Sequence, residues 1–170
     1  MSLGDSIVVG VVGIACVYDL HSRRIPNPLT IGAAAAALLA ASFAGGVAGL
    51  TFSLSGWLLA TALWIPFYAL GGMGAGDVKL LAAVGAWLGP ADVFHAALYA
   101  GIAGAIMALS IAAARGLLRQ TFSNLQLLVA HWQVAGFAPH AQLTLADAGR
   151  PRLAYALPIL AGTVMAIWLR

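Results

Sequence analysis

Apolar residues fill this chain in long runs broken by short polar or glycine-rich interruptions. A helix that crosses a bilayer needs about 20 apolar residues. On that ruler the pattern predicts six segments, at about 3–18, 29–43, 50–70, 71–88, 93–114 and 153–169. The 52 residues 25–76 contain no Asp, Glu, Lys, Arg or His, enough for two crossings joined by the short turn 44–49. Gly89-Pro90-Ala91-Asp92 is the other tight connection, and the first and fourth segments have the softest boundaries.

One stretch has a different period. Within 115–134, Leu117, Leu118, Phe122, Leu125, Leu128, Val129 and Trp132 recur at helical spacing, with Arg119, Gln120, Ser123, Asn124, Gln126 and Gln133 opposite. This predicts an amphipathic helix lying in the membrane interface or packed on the cytoplasmic end of the bundle. Residues 139–150 read as a loop. The expected fold is all-α: a polytopic transmembrane bundle of about six spans, forming one domain over 1–170 with no internal repeat.

Composition sharpens this picture. The chain is 62% hydrophobic and 8% charged, with mean hydropathy +0.97. A soluble domain carries about a quarter charged residues, so a soluble enzyme and a disordered chain are both excluded. The absence of Glu rules out a His-Glu-x-x-His zinc protease, which would lack its general base. A single cysteine, Cys16, rules out a disulfide framework or a paired-cysteine metal site. His21, His95, His131 and His140 show no ligand spacing, so neither metal nor cofactor is expected.

The formal charge of +3 has a topological cause. With an even number of crossings, Arg23, Arg24, Lys79, Arg115, Arg119, Arg150 and Arg152 fall on one face and Arg170 on the other. The basic face is the cytoplasmic one, and both termini are periplasmic. The basic residues form no stripe, so nucleic acid is not expected as a partner. The N-terminus lacks a basic n-region and carries Asp5 instead, so it reads as retained rather than as a signal peptide. The five tryptophans are placed like interfacial or packing residues.

Charges inside a span are costly and point to function. Asp5, Asp92 and Asp147 read as solvated caps or turns. Asp19 and Asp77 do not. Asp19 closes the first apolar run, and Asp77 follows Gly71-Gly72-Met73-Gly74-Ala75-Gly76. Asp19 lies 14 residues from Asp5 and Asp77 lies 13 from Pro90, roughly 20 Å in each case, which puts both at one depth below the cytoplasmic surface. Two nearby carboxylates in low dielectric share a proton: the charged one can activate water while the neutral one protonates a leaving amine. Gly74 and Gly76 would let a substrate backbone approach Asp77, and an unwound backbone is tolerated there if it lines a wet cavity.

Asp19-Leu20-His21-Ser22-Arg23-Arg24-Ile25-Pro26-Asn27 resembles the first signature of type IV prepilin peptidases, and Gly74-Ala75-Gly76-Asp77-Val78-Lys79 resembles their second, the GxGD motif of intramembrane aspartyl proteases. The run 154–158 is loosely similar to the family's terminal segment. The resemblance covers the chain in order and topology. It implies a leader peptidase in the bacterial inner membrane with Asp19 and Asp77 as the catalytic pair, cleaving the short basic leader of a prepilin or pseudopilin at the cytoplasmic face and working beside pilus-assembly machinery. Larger members add a cysteine-bearing N-terminal domain and also N-methylate the product. Here nothing precedes the first span and Cys16 stands alone, which resembles the small peptidase-only members associated with Flp/Tad pili.

Around these motifs, Arg23, Arg24 and Lys79 read as interfacial anchors. Pro26 and Pro28 set the start of the second span, and Asn27 is a candidate cap for it. Two alternatives are a presenilin-like GxGD protease, sharing the Tyr18-Asp19 pair but placing its aspartates late in a longer bundle, and a small ion- or proton-coupled transporter, which would show inverted repeats.

Overall fold

A computed structural model describes residues 1–137 and 153–170, and the described residues are helical with no strand. The helices are α1 (Leu3–Ser22), α2 (Asn27–Ala69), α3 (Ala75–Ala114), α4 (Leu118–Ala135) and α5 (Ala156–Trp168). α1, α2 and α3 are long and apolar enough to cross a membrane, and α5 is a shorter apolar helix. The expected loop at 139–150, with His140, Asp147 and Arg150, lies outside the described residues, as does Arg152.

α2 and α3 are each interrupted by one glycine in a conformation that only glycine adopts readily. Gly46 has φ 58° and ψ −137°, and Gly89 has φ 79° and ψ 179°. The chain folds back at Gly46: a Cβ added at Gly49 would run into the Ala41 carbonyl, two helical turns away along a straight helix. Both breaks fall inside the turns expected at 44–49 and 89–92.

The N-terminal half of α3 is the centre of the core. Leu80, Leu81 and Val84 are wholly buried, together with Val8 and Val12 of α1, Val93 of α3 and Ile159 of α5. α2 approaches α3 at backbone distance. A Cβ on Gly56 would strike the Gly85 carbonyl, and one on Gly85 would strike that of Gly56. Small residues at a helix crossing allow this in a bilayer, where close van der Waals packing replaces hydrophobic driving force. Ser53 Oγ donates to Ala86 O at 2.7 Å, and Trp87 Nε1 donates to Ala33 O at 3.0 Å, fixing both halves of α2 to α3. Gly162 seats α5 on Ala96 and Ala100 in the same way. The outside of the bundle is apolar: Phe43, Val47 and Ile106 are largely exposed, as befits lipid-facing positions.

Four expectations are corrected. The segment predicted at 71–88 becomes helical only at Ala75, because Gly71 (φ 75°) turns the chain after α2. The last segment is shorter than 153–169, since α5 begins at Ala156. Asp5 is not solvated: it is 2% exposed, caps α1 through reciprocal bonds with Ser2, and pairs with Arg170. Asp92, expected in water, is held by the same arginine at 2.7 Å. The amphipathic stretch does form a helix, α4, which among the described residues packs on α3 alone and leaves Phe122 and Leu125 exposed.

Candidate active site

Asp19 lies in the last turn of α1, 14 residues and about four helical turns from Asp5. It is 6% exposed, and its Oδ2 accepts a hydrogen bond from the Ala156 amide at 3.2 Å. Ala156 opens α5, so the carboxylate faces a helix N-terminus, where unpaired amides and the helix dipole favour negative charge.

Asp77 is the third residue of α3. Its Oδ2 accepts from the Gly74 amide at 3.1 Å, so this acid caps its own helix from the N3 position. Both aspartates therefore engage one backbone amide through Oδ2, each at a helix N-terminus. Among the described residues, neither Oδ1 has a hydrogen-bond partner.

Asp19 and Asp77 line a single cavity of about 740 Å³, together with Arg23, Arg24, Lys79 and Tyr155. Two local features assemble it. A Cβ on Gly76 would meet Ile25 at 3.3 Å, so the glycine lets the loop between α1 and α2 lie against the start of α3. Lys79 Nζ then donates to Asn27 Oδ1 at 3.0 Å, tying the same two segments at the rim. This corrects the expected helix cap at Asn27: the N-cap of α2 is Pro26, with no side-chain bond, and Asn27 accepts from Lys79 instead. Lys79, expected as an interfacial anchor, has a protein partner.

Gly74 and Gly76 also line the cavity. Gly74 has an extended backbone (φ −82°, ψ 150°) and gives its amide to Asp77; Gly76 packs against Ile25. Tyr155, present in the sequence only within the loosely similar 154–158 run, proves to be part of the wall. Its ring meets Trp64 edge-on at 5.5 Å and occupies the space that a Cβ on Gly104 would need. Nothing local in the sequence announces this contact. No group of three or more His, Cys, Asp or Glu residues able to hold a metal occurs among the described residues.

A helical, apolar bundle that buries one acid and half-buries a second around a polar cavity at one end defines a membrane protein with an internal polar site. The family can be stated more narrowly. The chain belongs to the type IV leader peptidase family, which matches residues 6–109, a stretch that holds α2, both aspartates and nearly all of α1 and α3. Membership makes it a peptidase. Comparison with curated proteins and with solved structures returns no match.

Proposed function

We propose that this chain is an aspartyl endopeptidase of the bacterial inner membrane that removes the short basic leader of a prepilin-like precursor, of the Flp/Tad type, at the cytoplasmic face. The observation that carries the reading is the shared cavity of Asp19 and Asp77. In this reading the halves of α2 and α3 cross the bilayer separately, giving six crossings with the aspartates toward the cytoplasm.

The chemistry follows from two carboxylates sharing one proton. The ionised aspartate takes a proton from a water as its oxygen attacks the scissile carbonyl. The protonated aspartate hydrogen-bonds the carbonyl oxygen, and a proton then passes to the departing amine as the C–N bond breaks. No covalent intermediate is required. Each Oδ2 is engaged by an amide, so each Oδ1 is the oxygen left for water and substrate. An extended substrate backbone fits beside Gly74 and Gly76, where no side chain intervenes.

The test is reconstitution of Asp19→Asn and Asp77→Asn with a candidate prepilin and observation of leader removal on a gel. Both changes are nearly isosteric, so insertion should be normal. Each single variant should lose cleavage by at least about a hundredfold, the scale of general acid–base catalysis. Normal processing by either one would refute the mechanism.

A further inference from the structure

Tyr155 sits where a helix cap belongs, yet its side chain makes no capping hydrogen bond. It is the N-cap of α5, with φ −72° and ψ −13°. Ser, Thr, Asp and Asn are preferred at that position, because their short polar side chains accept from first-turn amides. The amides of α5 are satisfied in other ways. Leu157 donates to Ala154 O at 3.3 Å, Pro158 carries no N–H, and Ile159 donates to Tyr155 O at 3.2 Å. Ala156 donates to Asp19 Oδ2 at 3.2 Å. The acid of α1 thus does for α5 what its own N-cap residue does not. Ala156 is wholly buried, so an amide parted from Asp19 would lose its partner in a place sealed from water.

One peptide plane carries this arrangement. The unit between Tyr155 and Ala156 is trans, so its carbonyl and its N–H point in opposite directions. The carbonyl accepts from Ile159 inside α5, and the N–H reaches Asp19. The plane hangs from the Tyr155 Cα, and the ring on that same Cα is seated against two other helices. Trp64 of α2, itself buried, meets the ring edge-on at 5.5 Å with the planes at 75°, a favoured geometry for aromatic pairs. On α3, a Cβ at Gly104 would lie 2.7 Å from the ring's Cζ and closer still to Oη, so only glycine leaves the ring its place.

We propose that Tyr155 is a positioning residue for Asp19: its ring, seated between Gly104 and Trp64, holds the peptide plane that presents the Ala156 amide to Oδ2. The inference rests on the catalytic reading of Asp19 given above. With Oδ2 held, the carboxyl does not turn freely, and Oδ1 keeps one direction. Packing on α2 and α3 is thereby converted into the orientation of a single oxygen on α1, at the cavity that Tyr155 also lines.

Gly104→Ala unseats the ring, Tyr155→Ala removes it, and Tyr155→Phe keeps it. Each intact protein in detergent would be assayed for leader cleavage, for exchange of the Ala156 amide by NMR, and for melting temperature. Gly46→Ala, which strains the break in α2 instead, serves as the comparison. Gly104→Ala and Tyr155→Ala should each lower kcat at least about tenfold with KM within about twofold, as expected for a misplaced catalytic group. Their Ala156 amide should exchange at least about tenfold faster. Tyr155→Phe should match the unaltered protein in both, and Gly46→Ala should melt lower with kcat retained. Unchanged kcat and exchange in Gly104→Ala and Tyr155→Ala would overturn the inference. So would a tenfold loss in Tyr155→Phe, which would give the role to the hydroxyl, or an equal loss in Gly46→Ala, which would make activity follow stability alone. If Asp19→Asn still cleaves, the catalytic reading is the one that fails, and amide exchange by itself decides whether the ring holds the plane.

Discussion

The Ala156 amide donates to Asp19 Oδ2 at 3.2 Å, joining residues 137 positions apart. An acid in α1 is thereby oriented by the first turn of α5, so the placement of the last helix bears on where the first acid points.

Ala156 is wholly buried, and Ala156→Leu would insert three carbons where no space exists. Overpacking of this kind costs about 1–3 kcal/mol and is relieved by shifts of backbone. The start of α5 should move and its amide should leave Asp19. We expect kcat for leader cleavage to fall at least about tenfold, a loss typical of a misplaced catalytic group. Unchanged kcat would show that the amide does not position the acid.

The two helix breaks differ in what surrounds them. A Cβ at Gly46 meets nothing within 4 Å, whereas one at Gly89 would collide with the Phe52 ring. Gly46→Ala should therefore cost only backbone strain, of order 1–3 kcal/mol. Gly89→Ala should cost more, and Gly89→Ala with Phe52→Ala should recover the steric part while leaving the backbone part. Melting temperatures of the four proteins in detergent would check this order.

Arg170 donates to Asp92 at 2.7 Å and to Asp5 at 2.5 Å. Its bonds to Asp92 first, and to Asp5 second, raise the guanidinium pKa above the ordinary arginine value. A raised cation contributes stability that is complete below the unfolded value and is lost only as pH rises through the folded one. Both lie far above neutrality, so the Arg170 contribution should be constant across physiological pH. Arg170→Gln would strand the buried Asp5 at a cost of about 3 kcal/mol, the lower end for a broken buried pair because the guanidinium is 37% exposed. Adding Asp5→Asn should restore part of the melting temperature. Equal melting of the single and double variants would remove the ion pair from the fold's support.

Much of this was legible because it is local. The all-helical fold, two glycine turns and an amphipathic helix follow from hydropathy and spacing. Asp19 and Asp77 stood out as charges with no topological role, and both line one cavity. What stayed hidden is long-range. Asp5 reads as a solvated cap or turn, and it does cap α1 with Ser2, but it is buried and paired with an arginine 165 positions away. Asn27 beside a helix start reads as a cap until Lys79, 52 positions on, takes its side chain. Tyr155 has no local pattern because its seat is made by Gly104 and Trp64 of other helices.

The bonds at the two ends of the bundle are unequal in kind. Far from the aspartates, one guanidinium clasps α1, α3 and the end of α5 through two charged pairs. Near them, among the described residues, α1 meets the start of α5 through the neutral Ala156 amide on the Asp19 carboxylate. Any parting of the helices is therefore expected at the end that holds the acids, with the charged clamp as its fixed point; faster amide exchange at Ala156 than beside Asp5 and Asp92 would be its mark.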